Sequence, residues 1–77
     1  MLFLVVREDP STDDEYSLHE TRERAIAAAK EYEAECERDG CVFTEEDIPG
    51  WEYSSQSDPA SGDGPMVHVE EIHVEAP

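Results

Sequence analysis

The apolar positions of this chain fall into clusters whose periods name the elements. Leu2-Phe3-Leu4-Val5-Val6 is an unbroken apolar run closed by Arg7-Glu8-Asp9. That is the pattern of a strand buried on both faces, and so of a central strand in a sheet. Asp9-Pro10-Ser11-Thr12-Asp13-Asp14 is turn chemistry. Glu15-Tyr16-Ser17-Leu18-His19 then alternates, with Tyr16 and Leu18 on one side, and predicts a short strand antiparallel to the first.

The period changes after Thr21, a good N-cap, with Glu23 suited to the positive end of a helix. Ala25, Ala28, Ala29, Tyr32 and Cys36 recur at spacings of three and four, with Ile26 on the flank, and predict a helix over 22–38. Arg38 and Gly40 stop it. Its inward face is mostly alanine, so it can lie close against a sheet.

Cys41-Val42-Phe43 reads as a short strand or ordered return, Ile48-Pro49-Gly50 as a turn, and Trp51-Glu52-Tyr53 as a further candidate strand. Residues 54–65 (SSQSDPASGDGP) are almost free of apolar side chains and read as a flexible loop. Met66 to Glu75 is the clearest strand, with the near-repeat Val67-His68-Val69-Glu70 and Ile72-His73-Val74-Glu75. Strict alternation sends Val67 and Val69 to one face and Ile72 and Val74 to the other. A β-bulge at Glu70-Glu71 would bring all four to the core, and the pattern predicts one there. The expected fold is a small two-layer α+β domain: an antiparallel sheet of three to five strands carrying one helix, written ββαββ, in a single domain over 1–77.

Charge changes the functional picture more than the fold. Twenty-one acids face five basic residues, a formal charge of −16, so the chain is not expected to bind nucleic acid directly or to dock on an anionic membrane. No run of 18 apolar residues exists to span a bilayer. Leu2–Val6 is too short for a signal-peptide core, so the expected location is the cytoplasm. Arg7, Arg22, Arg24, Lys30 and Arg38 all lie in the first half, while residues 39–77 hold ten acids and no Lys or Arg. Such self-repulsion weakens a compact state, and in a chain this short the core is already thin. High salt, a basic partner or a bound cation would offset it.

Two constellations suggest cations. Cys36-x4-Cys41 with His68-x4-His73 has zinc-like spacing. Two strand residues five apart nevertheless lie about 13–16 Å from each other, too far to share one ion. Asp9, Ser11, Asp13, Ser17 and Glu20 match five positions of a calcium loop, but Asp14 stands where that loop needs Gly, and a strand precedes it. Loose cation condensation is the expectation, with no metal and no cofactor. There is no Gly-rich phosphate loop, no nucleophile elbow, and no Ser or Cys with a local partner, so no enzyme is expected.

The helix carries the sharper signal. Glu31/Glu35 and Glu33/Glu37 are like-charged pairs at i,i+4, which weaken an isolated helix. Each pair rises about 6 Å along the axis, a ladder of charge resembling a nucleic-acid backbone. In length, acidity and lack of enzyme motifs the chain resembles the small phage-encoded inhibitors of host defence, including DNA-mimicking anti-CRISPR proteins. That resemblance is compositional, extends over the whole chain and is carried by no motif. It implies a basic nucleic-acid-binding partner of Cas or restriction type, in the host cytoplasm, met by a monomer or homodimer. Charge clustering selects Glu31, Glu35, Glu45, Glu46, Asp47, Glu70 and Glu71 as contact residues. The alternative is an accessory protein adapted to high salt, for which a single lysine speaks and the excess of fourteen Glu over seven Asp does not.

Overall fold

The computed structural model describes residues 1–10, 13–57 and 64–73. Strand β1 (Leu2–Glu8) turns back into β2 (Glu15–His19), and helix α1 (Arg22–Arg38) follows. Three more strands complete the chain: β3 (Phe43–Glu45), β4 (Tyr53–Ser57) and β5 (Met66–Ile72). They form one antiparallel sheet in the order β2-β1-β5-β4-β3. The α+β architecture is the one the sequence predicts, with ββαβββ connectivity. β5 is its middle strand and β1 lies beside it, inside the sheet.

The helix takes its predicted bounds because both ends are capped. Thr21 is extended (φ −129°, ψ 151°) and its Oγ1 accepts a hydrogen bond from Arg24 N at 3.2 Å. At the other end Gly40 sits at φ 98°, a left-handed conformation that glycine adopts without strain. Gly40 N donates to Glu37 O and Cys41 N to Cys36 O, the two bonds of a Schellman motif.

Register sorts the side chains into two faces. Val5 lies opposite Val69 and Arg7 opposite Val67, while Ser55 lies opposite Val67 and Tyr53 opposite Val69. Val5, Val67 and Val69 meet Ala25 and Ala29 of α1 in a core of fully buried side chains. Phe3, Ile26, Ala28, Tyr32 and Tyr53 pack around it. The alanines let α1 come close, as their spacing predicts. Tyr16 and Leu18 share a side of β2, also as predicted. That side is the helix-free one, because they lie opposite Val6 and Leu4.

Three expectations are corrected. First, there is no bulge at Glu70-Glu71: β5 pairs with β1 without a break from Glu8↔Met66 to Leu2↔Ile72. Ile72 therefore falls on the helix-free face, beside Leu2. That face is itself apolar along β1, so Ile72 finds apolar company without breaking the ladder. Val74 lies outside the described residues. Second, residues 54–57 are not loop. Ser54, Ser55 and Ser57 are buried in β4, paired with β5 on one side and β3 on the other. Small hydroxyl side chains were accepted into a strand because the sheet on both sides supplies its hydrogen bonds. Residues 58–63 of the expected loop lie outside the described residues. Third, the candidate strand 51–53 begins only at Tyr53. Trp51 N donates to Ile48 O (3.2 Å) across the predicted Pro49-Gly50 turn, where Gly50 has φ 92°.

A candidate acidic interface

α1 lies across β1, β5 and β2, so its two flanks look toward opposite ends of the sheet. On the β2 flank, Glu31 and Glu35 project beside Ala28 and Tyr32 and meet Arg7 and Glu15 around an open cleft of about 310 Å³. A second hollow of about 200 Å³ adds Asp9 and Asp13 to Arg7, Glu15, Tyr32 and Glu35. Among the described residues Arg7 is the one cation lining either hollow, amid carboxylates from β2, α1 and the β1–β2 connection. On the other flank Glu33, Glu37 and Glu45 line a cleft of about 410 Å³ with Lys30, Phe43 and Tyr53.

Glu33 is the helix acid that turns inward. It is buried, and Tyr53 Oη donates to its Oε2 at 2.6 Å. Burial, then the Glu33 carboxylate, pushes the Tyr53 hydroxyl well above the ordinary tyrosine range. Burial does the same for Tyr32, reinforced by Cys36, Asp9 and Glu15. The Cys36 thiol is also raised, chiefly by burial. Both tyrosines stay neutral at physiological pH, and the Cys36 thiol stays protonated there. Cys36 and Cys41 are free thiols.

The selected contact residues divide among several places. Glu31 and Glu35 come together on the β2 flank of the helix, and Glu45 faces the opposite flank. Glu46 is held in the β3–β4 connection by its N–H to Ser54 O (2.9 Å), and Asp47 is exposed beside it. Glu70 lies on the helix-free face, where His68 Nε2 donates to its Oε2 at 2.7 Å. Glu71 lies opposite Phe3 and pairs with His73 at 3.4 Å. Glu15, which shares its face of β2 with Ser17 and His19, was not selected. Strand alternation was the signal that places it with Glu31 and Glu35.

The helix-free face is different in kind. Leu2, Leu4, Val6 and Ile72 lie on it, with Tyr16 and Leu18 at its β2 edge 62% and 57% exposed. Trp51 stacks on His68 with ring centroids 3.7 Å apart and planes 3° from parallel, so this imidazole is buried although it lies on an outer face. His73, the other half of the zinc-like pair, is exposed and bound to Glu71. Among the described residues no three His, Cys, Asp or Glu side chains gather to hold a metal ion. Of the calcium-like pattern, Ser17 lies in extended strand β2, and Ser11 falls outside the described residues. No helix of the described residues is long and apolar enough to cross a membrane. No protein-family model, curated protein or solved structure matches this chain.

Proposed function

We propose that this chain is a non-enzymatic inhibitor that binds a basic, nucleic-acid-binding protein in place of its nucleic acid, in the manner of anti-CRISPR or anti-restriction proteins. The observation that supports the reading is the gathering of carboxylates along α1 and its borders: Glu15, Glu31 and Glu35 on one flank, Glu33, Glu37 and Glu45 on the other. Acids from distant parts of the chain meet beside one rigid helix, where a basic groove would find charge at regular spacing. The flanking clefts are open and acid-lined, suited to receiving Arg and Lys side chains. Glu31, Glu35 and Glu15 form the centre of the proposed contact, and Glu45 extends it. Glu70, engaged by His68 on the far face, does not belong to it.

The test is displacement of a labelled DNA duplex from a Cas-type effector and from a restriction endonuclease, read by fluorescence anisotropy. The inhibitor reading expects displacement that weakens steeply between about 50 and 300 mM salt. It also expects Glu31→Gln with Glu35→Gln to weaken displacement without unfolding the protein. Failure of the folded protein to displace duplex from either enzyme at the lowest salt would overturn it.

A second reading, adaptation to high salt, draws support from the acids spread over the connections as well, Asp13, Asp14, Asp39 and Asp47 all being exposed. Circular dichroism from about 10 mM to 3 M sodium chloride separates the two. A fold that is complete at the lowest salt favours the inhibitor; one that forms only in molar salt favours the solvent.

A further inference from the structure

The sheet ends in two unlike edges. β3 is three residues long, carries Glu45 and runs into Glu46-Asp47, the short, charged kind of edge that resists pairing with another chain. β2 is five residues long, and two large apolar side chains, Tyr16 and Leu18, stand exposed on it. We propose that β2 pairs with the β2 strand of a second copy of this chain, antiparallel, about a two-fold axis through Ser17.

The sequence of the strand argues for that occupant and that register. Glu15-Tyr16-Ser17-Leu18-His19 reads as acid, apolar, serine, apolar, base, so reversing it about Ser17 matches each type with a complement. Glu15 meets the second copy's His19 on the helix-covered side, and Tyr16 meets the second copy's Leu18 on the helix-free side. Each contact occurs twice, as a two-fold interface requires. A carboxylate facing an imidazole and aromatic–aliphatic neighbours across a strand pair are both stabilising. Centring the axis on Tyr16 would set Asp14 against Leu18, and centring it on Leu18 would set Tyr16 against Glu20, so the neighbouring registers lose the match. The paired sheet holds both helices on one side, and the acidic clefts holding Glu15, Glu31 and Glu35 flank the seam. On the other side the two Tyr16–Leu18 strips merge.

Charge opposes this contact at its rim. Asp14 faces the second copy's Glu20 at each end, and two chains of −16 repel as bodies. Salt screens these terms and leaves the apolar and backbone contacts intact. Pairing therefore strengthens with salt, whereas capture of a basic partner weakens. The dimer does not depend on the inhibitor reading, and either can fail alone.

The experiment is sedimentation velocity over a concentration series at about 0.1 and 1 M sodium chloride, joined to a cross-linking test. The expected result is a reversible dimer whose dissociation constant falls about tenfold at the higher salt, and a monomeric, folded Leu18→Lys variant. With Cys36 and Cys41 replaced by alanine, Ser17→Cys should form a disulfide dimer on mild oxidation, because directly opposed strand residues have Cα atoms about 4.5–5.5 Å apart, within disulfide reach. Thr44→Cys, on the β3 edge, should not. A wild-type monomer at every concentration and salt would overturn the proposal. So would a dimer indifferent to Leu18→Lys, or cross-linking through position 44 as readily as through 17.

Discussion

The two faces of one sheet have been built by different rules. On the helix-covered face, Val5, Val67 and Val69 are sealed beneath Ala25 and Ala29, and the surface around that seal is carboxylate. On the helix-free face the residues are as apolar, but among the described residues no helix covers them: Val6 is buried, Leu2, Leu4 and Ile72 are half-buried, and Tyr16 and Leu18 stand exposed. Stability thus comes mainly from the side whose borders are lined by carboxylates, and the exposed apolar surplus, Tyr16 and Leu18, lies on the other. In a monomer that distribution is wasteful, since exposed apolar area contributes nothing to folding. It has a use if the charged side and the apolar side meet different surroundings.

The sharpest way to break the comparison is to empty the sealed side. Val69 is fully buried between α1, β1 and β4. Val69→Ala should cost about 2–3 kcal/mol, the loss of transferred methyls plus the cavity they leave. A domain of this size would lose roughly 10–20 °C of melting temperature, read by a thermal melt. Leu4→Ala, half-buried on the open face, should cost markedly less. Equal losses would mean that the open face is covered in solution.

Next in size is the single buried acid of the helix. Removing the Tyr53 hydroxyl leaves Glu33 buried without its 2.6 Å donor, and Tyr53→Phe should cost about 2 kcal/mol by chemical denaturation at pH 7. The same pair sets an alkaline limit. Tyr53 titrates above its ordinary value near 10 when folded, so the folded state keeps a proton that the unfolded state releases. Its contribution is complete below pH 10 and is lost as pH rises beyond it. Tyr32 has the same sign. Tyr53→Phe should flatten the fall in stability above pH 10, and an unchanged alkaline slope would remove Tyr53 from the account.

How far the sequence revealed these faces depended on whether the information was local. The helix was legible to the residue because Thr21, the alanine spacing and Gly40 act within a few positions. β2 was legible through its alternation. β4 was hidden, since Ser54, Ser55 and Ser57 carry no strand signal of their own and owe their conformation to β3 and β5 on either side. The bulge failed for a related reason. It assumed one apolar face, and the sheet has two, so Ile72 had no need to change sides. Of the acidic interface, the Glu31/Glu35 pair followed from helical period alone. That Glu15 joins them, and that Glu70 turns away, depends on strand pairings between residues far apart in the chain.

A smaller effect tests the place where Trp51 closes the open face. Trp51→Ala removes the ring stacked at 3.7 Å on His68 and should cost about 1 kcal/mol in a thermal melt. It should also open the imidazole to solvent, seen as a larger change of its ring proton shifts on adding a soluble paramagnetic relaxation agent. A variant as stable as the parent, with His68 still shielded, would show that another group covers it.

The smallest expected change is the most telling, because it separates exposure from use. Leu18 is 57% exposed at the β2 edge, and its replacement by threonine removes apolar area while supplying a β-branched residue suited to a strand. In dilute solution, where the chain is a monomer, Leu18→Thr should alter unfolding free energy by no more than about 0.5 kcal/mol, the ordinary range for a surface change. At high protein concentration the parent should gain melting temperature by mass action, as any protein does when its folded state associates, and the variant should gain less. A penalty that is already large in the dilute monomer would mean that Leu18 supports its own fold. The contrast between the sealed and the open face would then be one of degree. A penalty that appears only as concentration rises assigns the apolar surplus to the second copy, and leaves the acidic side free for a partner of opposite charge.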